Sequence, residues 1–302
     1  MEKDDIKMSV GRVVRAIGGI FYVEPLTGKD LIAECSVRGK LKLTNSDILV
    51  GDKVKYLLEN SKGVITEVLP RESILKRPYI TNVDLLVVVF AHENPVPNPS
   101  LMARFLIIAD SSDIPYVLVF NKTDLVGKGK ADKLANIYRN YGYQVYCTST
   151  VNNLGKRTLQ KLLAGKVSVF TGPSGVGKSA LLNMLCPGLK LKTGILSSKI
   201  SRGKHTTREV QLLKVNPLTS VADTPGFSQI GLEHLKPEEL ASLFPDFRDY
   251  LGKCRFNSCI HQNEPECALK KGLENGMIDP ERYNSYLELL KEVKENWAKR
   301  YR

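Results

Sequence analysis

VFNKTDL, residues 119–125, runs from an apolar stretch straight into Asn121, Lys122 and Asp124, as a buried strand delivers a base-reading loop. A carboxylate at Asp124 can accept from both N1–H and the exocyclic amine of guanine, whereas adenine would set an acceptor against it. Lys122 would lie along the ring, Asn121 would brace the loop, and Thr123 completes it. CTSTVNN, residues 147–153, follows the next strand-like run and offers backbone or Ser149 contacts to the base. The partner motif arrives late. GPSGVGKS, residues 172–179, fits the phosphate-loop pattern G-x-x-x-x-G-K-S between a strand and a helix. Gly172, Pro173, Ser174, Gly175, Val176 and Gly177 would turn backbone N–H groups inward around phosphates at a helix N-terminus, with Ala180 just behind. Lys178 would reach the β- and γ-phosphates and act in catalysis, and Ser179 would bind Mg²⁺.

VADTPGF, residues 221–227, supplies a third element. Asp223 ends a strand and can hold Mg²⁺ through water, and Gly226 leaves its N–H free for the γ-phosphate. Between the two phosphate elements, the segment from Lys190 to Arg208 has six Lys or Arg and no acid, the composition of a loop that orders on nucleotide or RNA. Thr206 or, with more weight, Thr207 would close over Mg²⁺ there. Most guanine-nucleotide switches carry the phosphate loop first. All these loops converge at the carboxyl ends of parallel strands, so the ring of elements can be cut elsewhere without moving any of them. The order here therefore describes a circularly permuted GTPase, whose γ-phosphate-sensing loop leads directly into the C-terminal region and is expected to reposition it. Phe227 stands where many GTPases carry a water-orienting glutamine, so slow intrinsic hydrolysis is expected. His205 is the nearest imidazole in sequence, read either as catalytic or as a partner contact.

Three regions follow: 1–72, 73–231 and 232–302. The first is a run of short β-rich segments with Gly18-Gly19 as a hairpin turn, which suggests a small RNA-binding barrel, either of the oligonucleotide-binding (OB) type or SH3-like. From residue 83 strand and helix patterns alternate, with Asn98 and Pro99 opening a helix, as in a parallel sheet covered on both faces. The third region turns helical. The fold class is multidomain α/β: an N-terminal small β-barrel, a central permuted P-loop GTPase domain and a C-terminal helical zinc-binding domain. A net charge of +12 makes a polyanion such as nucleic acid a plausible partner. The charged N-terminus lacks a signal-peptide apolar segment, and VDLLVVVFA, residues 83–91, is far short of the ~20 residues of a membrane helix. A cytoplasmic monomer with no membrane association is expected.

Six cysteines without a secretion signal argue against a disulfide framework. Cys35, Cys147 and Cys186 read as reduced, partly buried thiols, but Cys254, Cys259, His261 and Cys267 cluster within CRFNSCIHQNEPEC. Three thiolates and an imidazole satisfy a closed tetrahedral zinc site, a structural role that leaves no position open for chemistry.

NKTD, GPSGVGKS, RGKHTTRE, DTPGF and the Cys-x₄-Cys-x-His-x₅-Cys cluster, in this order, together resemble the RsgA (YjeQ) family of ribosome-small-subunit-dependent GTPases over nearly the whole chain. The resemblance implies an OB-type N-terminal domain, a permuted GTPase core and a helical zinc domain. It also implies binding to the small (30S) ribosomal subunit and its rRNA late in maturation, with GTPase activity stimulated by the subunit. By position it makes His205 the proposed catalytic residue and Thr207 the switch threonine, and a hydrophobic residue at Phe227 agrees with it. A competing reading is an RNA-binding assembly factor in which GTP is a structural ligand with negligible turnover. An ATP-dependent enzyme is a further alternative, which NKTD opposes.

Overall fold

The computed structural model describes residues 7–27, 31–37, 47–59, 62–76, 79–186, 210–223 and 231–300. Five strands, β1 (Lys7–Ile17), β2 (Ile20–Pro25), β3 (Ala33–Val37), β4 (Lys53–Glu59) and β5 (Lys62–Val68), close into a barrel in the order β1-β2-β3-β5-β4. Gly18 and Gly19, both at positive φ, make the β1–β2 turn that the sequence marks. Only β3 and β5 pair in parallel. Five closed strands in this order give the OB-type barrel and decide between the two barrels the sequence leaves open. Val13, Val23, Val54, Tyr56 and Ile65 fill its interior. A ribbon of β6 (Ile74–Lys76) and β7 (Tyr79–Thr81) follows. The fully buried Asp52 ties barrel to ribbon: it accepts from Arg71 Nε and Nη2 at 2.8 and 2.9 Å and from the Thr81 hydroxyl at 2.7 Å.

The second sheet runs β10 (Val145–Cys147), β9 (Tyr116–Asn121), β8 (Leu85–Ala91), β11 (Val167–Thr171), β13 (Thr219–Asp223), β12 (Leu213–Asn216). All neighbours are parallel except the edge strand β12. Every residue of β8 is buried. Its pleat divides them: Leu86, Val88 and Phe90 join one core, Leu85, Val87 and Val89 the other. Helices α1 (Pro99–Asp110) and α2 (Gly127–Asn140) supply the first core, α3 (Lys156–Leu163) and α4 (Lys178–Leu185) the second. Asn98 caps α1 by accepting from the Leu101 N–H at 2.8 Å, with Pro99 in the first turn.

The C-terminal region is less separate than its sequence suggests. Two 3₁₀ turns, Leu240–Leu243 and Pro245–Tyr250, precede α5 (Ala268–Glu274) and α6 (Pro280–Lys299). Phe244 and Phe247 stack at 4.8 Å, with Tyr286 of α6 edge-on at 5.5 Å to each. These rings belong to the same continuous core as Phe90 and Phe105 of the GTPase domain. A nucleotide-driven swing of the whole region would uncover that core, so the expected repositioning meets a large hydrophobic cost. Arg282, 4% exposed, rivets the seam: Nε donates to Asp246 at 3.3 Å, Nη2 donates to the Tyr143 hydroxyl, and the guanidinium lies 4.3 Å from the Phe244 ring centre. Burial pushes the Asp246 carboxyl upward even with this partner. Arg282→Met should strand that acid and lower stability by roughly 3 kcal/mol in urea unfolding, while Arg282→Met with Asp246→Leu should recover much of the loss.

Candidate nucleotide site and candidate metal centre

β9 ends at Asn121, whose side chain is fully buried. Its Nδ2 donates to the Val176 carbonyl at 2.9 Å, and its Oδ1 accepts from the Thr148 hydroxyl at 3.1 Å. One carboxamide thus joins the 121–124 loop, the phosphate loop and the strand end after β10. Lys122 takes left-handed φ of 60° and turns the chain into the 3₁₀ turn Thr123–Leu125. Its Nζ donates to the Gly175 carbonyl at 2.7 Å and to that of Asn94. The Thr123 hydroxyl donates to the Thr148 carbonyl at 2.8 Å. Asp124 is exposed and accepts from the Ser149 hydroxyl, whose oxygen in turn accepts from the Val151 N–H at 3.3 Å. That chain of bonds orients the carboxylate at the loop surface.

The phosphate loop leaves β11 at Gly172, with φ of 144°, where a Cβ would lie 2.0 Å from the Val89 carbonyl oxygen. At Gly177, with φ of 96°, a Cβ would lie 2.4 Å from Asn121 Nδ2. The glycines of the pattern therefore serve neighbouring backbone and Asn121 as well as any ligand. Val176 is buried beneath the loop, Ser174 and Gly175 are exposed, and Pro173, Ser179 and Ala180 are half-buried around the start of α4. Lys178 Nζ donates to the carbonyls of Gly172 and Pro173, each at 2.9 Å. Asp223 closes β13 beside Phe170 of β11. These strand ends share one edge of the parallel sheet, where the N-terminus of α4 suits an anion. His205, Thr206, Thr207, Gly226 and Phe227 lie outside the described residues.

Two participants escape sequence reasoning. Thr148, 1% exposed, holds both Asn121 and Thr123, and Asn94 receives Lys122. The run HENPVPNP, residues 92–99, signals a loop after β8, but nothing local announces that it meets Lys122.

Cys254, Cys259, His261 and Cys267 converge with their ligand atoms all within 4.8 Å of one another. His261 Nδ1 lies 3.4, 3.5 and 3.3 Å from the three sulfurs, and Cys254 and Cys267 sulfurs are 3.8 Å apart. A tetrahedral ion with arms of about 2.3 Å to sulfur and about 2.0 Å to nitrogen has edges of roughly 3.8 Å and 3.5 Å, so the four atoms fit such an ion. Burial pushes the Cys259 thiol up to about 12, so a cation bound here displaces protons from the sulfurs. The loop is held from outside. Glu264 accepts from the N–H groups of Ile260, Gln262 and Asn263 at 2.9, 2.8 and 3.0 Å. Tyr283 and Tyr286 of α6 donate to the carbonyls of His261 and Ile260 at 2.7 and 2.6 Å. The Ala268 N–H reaches Cys254 Sγ at 3.3 Å. Cys35, Cys147 and Cys186 are free thiols, two buried and one half-buried.

The family model described as RsgA GTPase matches residues 68–233, and that of the RsgA N-terminal domain matches residues 10–65. The chain belongs to the RsgA GTPase family. It is a GTP hydrolase of circularly permuted type, with an OB-like barrel before the GTPase domain. A relative from Alkaliphilus metalliredigens, named small ribosomal subunit biogenesis GTPase RsgA, is 45% identical over 292 residues, covering 96% of this chain and 99% of the relative. The crystal structure of YjeQ from Thermotoga maritima matches with a TM-score of 0.81 at 35% identity, over 95% of this chain and 99% of that one. YloQ, titled a circularly permuted GTPase, matches with a TM-score of 0.77 at 34% identity, over 98% of each chain. Among the described residues no helix is long and apolar enough to cross a membrane.

The RsgA-type cluster should hold one ion per chain. Cobalt-loaded protein should show thiolate-to-cobalt charge-transfer absorption, and Cys267→Ser should remove most of it and lower the melting temperature by several degrees.

Proposed function

We propose that this RsgA-family chain hydrolyses GTP while bound to the small ribosomal subunit late in its maturation, and that the subunit stimulates the reaction. The observation that carries the reading is the full-length likeness to relatives named for small-subunit biogenesis, joined to a guanine-type loop braced on a phosphate loop. The basic excess of the chain and the OB-like barrel support rRNA as the contacted surface. Action as a cytoplasmic monomer, in three units spanning 1–72, 73–231 and 232–302, is part of the same reading.

In this mechanism Asp124 selects guanine, with Lys122 along the ring, Asn121 and Thr123 fixing the loop, and Ser149 orienting the carboxylate. The backbone from Gly172 to Gly177 and the start of α4 at Lys178, Ser179 and Ala180 cradle the phosphates. Lys178 exchanges its loop carbonyls for β- and γ-phosphate oxygens. Ser179, Thr207 and Asp223 would hold Mg²⁺, which would supply positive charge against the phosphates. Gly226 meets the γ-phosphate, and His205 orients the attacking water that Phe227 cannot. The Cys₃His cluster takes zinc, because a closed tetrahedral sulfur and nitrogen set suits that ion and gives it a structural task.

Phe227 also favours a second reading, in which GTP is a structural ligand with negligible turnover. GTP turnover of the purified protein, alone and with isolated small subunits, large subunits or 70S particles, separates the two. At least a tenfold increase with small subunits alone is expected, and tight GTP binding without stimulation would overturn the leading reading. Asp124→Asn should weaken GDP at least a hundredfold and shift preference toward xanthosine nucleotides, measured by competition binding.

A further inference from the structure

A cavity of about 370 Å³ lies behind the base-reading loop, where α6 meets α1 and α2. Small-molecule sites run from roughly 300 to 1,000 Å³. Its walls are apolar and aromatic: Met102 comes from α1, and Leu134, Ile137 and Tyr138 come from α2, with Tyr141 just beyond. His92, 6% exposed, lines it from the end of β8 and stacks on Phe120 at 5.1 Å. Its Nε2 is buried and meets no hydrogen-bond partner among the described residues. Burial shifts the imidazole toward its uncharged form, and in the tautomer protonated at Nδ1 the ring offers Nε2 as an acceptor.

Charge at the cavity runs against that of the chain. Glu93, Asp279 and Glu281 line it with Lys130 and Arg282. The Arg282 charge is already engaged by Asp246 and the Tyr143 hydroxyl. Asp279 is likewise engaged as the cap of α6, accepting from the N–H groups of Glu281 and Arg282, which leaves Glu93 and Glu281 facing the Lys130 ammonium in a protein whose net charge is +12. An anionic mouth, aliphatic walls, tyrosine rings and an unmet acceptor together describe a receptor for an alkylammonium.

We propose that this cavity is a binding site for a small aliphatic diamine or polyamine. The methylene chain lies along Met102, Leu134 and Ile137, one ammonium sits between Glu93 and Glu281, and the other donates to His92 Nε2 beside Tyr138 and Tyr141. Isothermal calorimetry of the full chain with 1,5-diaminopentane tests it, with pentan-1-ol and pentanoate as matched-length controls. Expected are one saturable site for the diamine, at least tenfold weaker binding of the alcohol and none of pentanoate. Leu134→Trp, which fills the cavity, should abolish binding. Glu281→Gln on the exposed rim should weaken it severalfold, and His92→Phe, which keeps a ring against Phe120, about tenfold. Absence of saturable binding would overturn the proposal, as would a diamine affinity unchanged by Glu281→Gln and His92→Phe, which mark adsorption to acidic surface elsewhere.

Discussion

The buried carboxamide of Asn121 is the constraint on which the site depends. It spans from the Val176 carbonyl in the phosphate loop to the Thr148 hydroxyl after β10. With no water to replace either partner, each bond counts for about 1–3 kcal/mol if left unmade. Lys122 repeats the connection at the surface through Gly175 and Asn94. Loops far apart in sequence are thereby held as one unit, and cutting the chain at a different point leaves that unit intact. The permuted order survives because the bonds are between strand ends, and strand ends do not depend on which loop joins them.

A second constraint is the shared core. The same cluster contains Leu86 of β8, Phe105 of α1, Phe244, and Tyr286 and Leu290 of α6. The Cys₃His loop hangs from this core through Tyr283 and Tyr286, so the cluster and the GTPase sheet are mechanically continuous. The cluster works as a buttress on one side of α6, with α1 on the other.

How much could be read in advance varies with the range of the interaction. The glycine turn at Gly18-Gly19, the Asn98 cap and the fully apolar β8 were legible because their causes lie within a few residues. The meeting of the NKTD loop with the 172–179 loop and the convergence of the Cys₃His set were legible because such chemistry demands contiguous or closely spaced residue types. The choice of an OB-type over an SH3-like barrel came only with the family resemblance, since it rests on the long-range parallel pairing of β3 with β5. The sharing of one core between the sheet and residues 232–293 was not legible. Phe247 stands in a 3₁₀ turn and Phe244 at the junction of two, where no helical or strand period advertises a buried face. Thr148 and Asn94 have ordinary neighbours in sequence, and only the assembled sheet brings Asn121 and Lys122 to them.

The packing of α6 on α1 also sets an order of events during synthesis. Arg104 of α1 pairs with Glu292 of α6, 188 positions later. The barrel, built almost wholly from pairings among its own strands, can close as soon as it leaves the ribosome. The sheet cannot: β8 waits for β11, and the apolar flank of α1 waits for α6. A nascent chain thus carries an uncovered hydrophobic helix through most of its own translation, a period in which chaperone capture competes with folding.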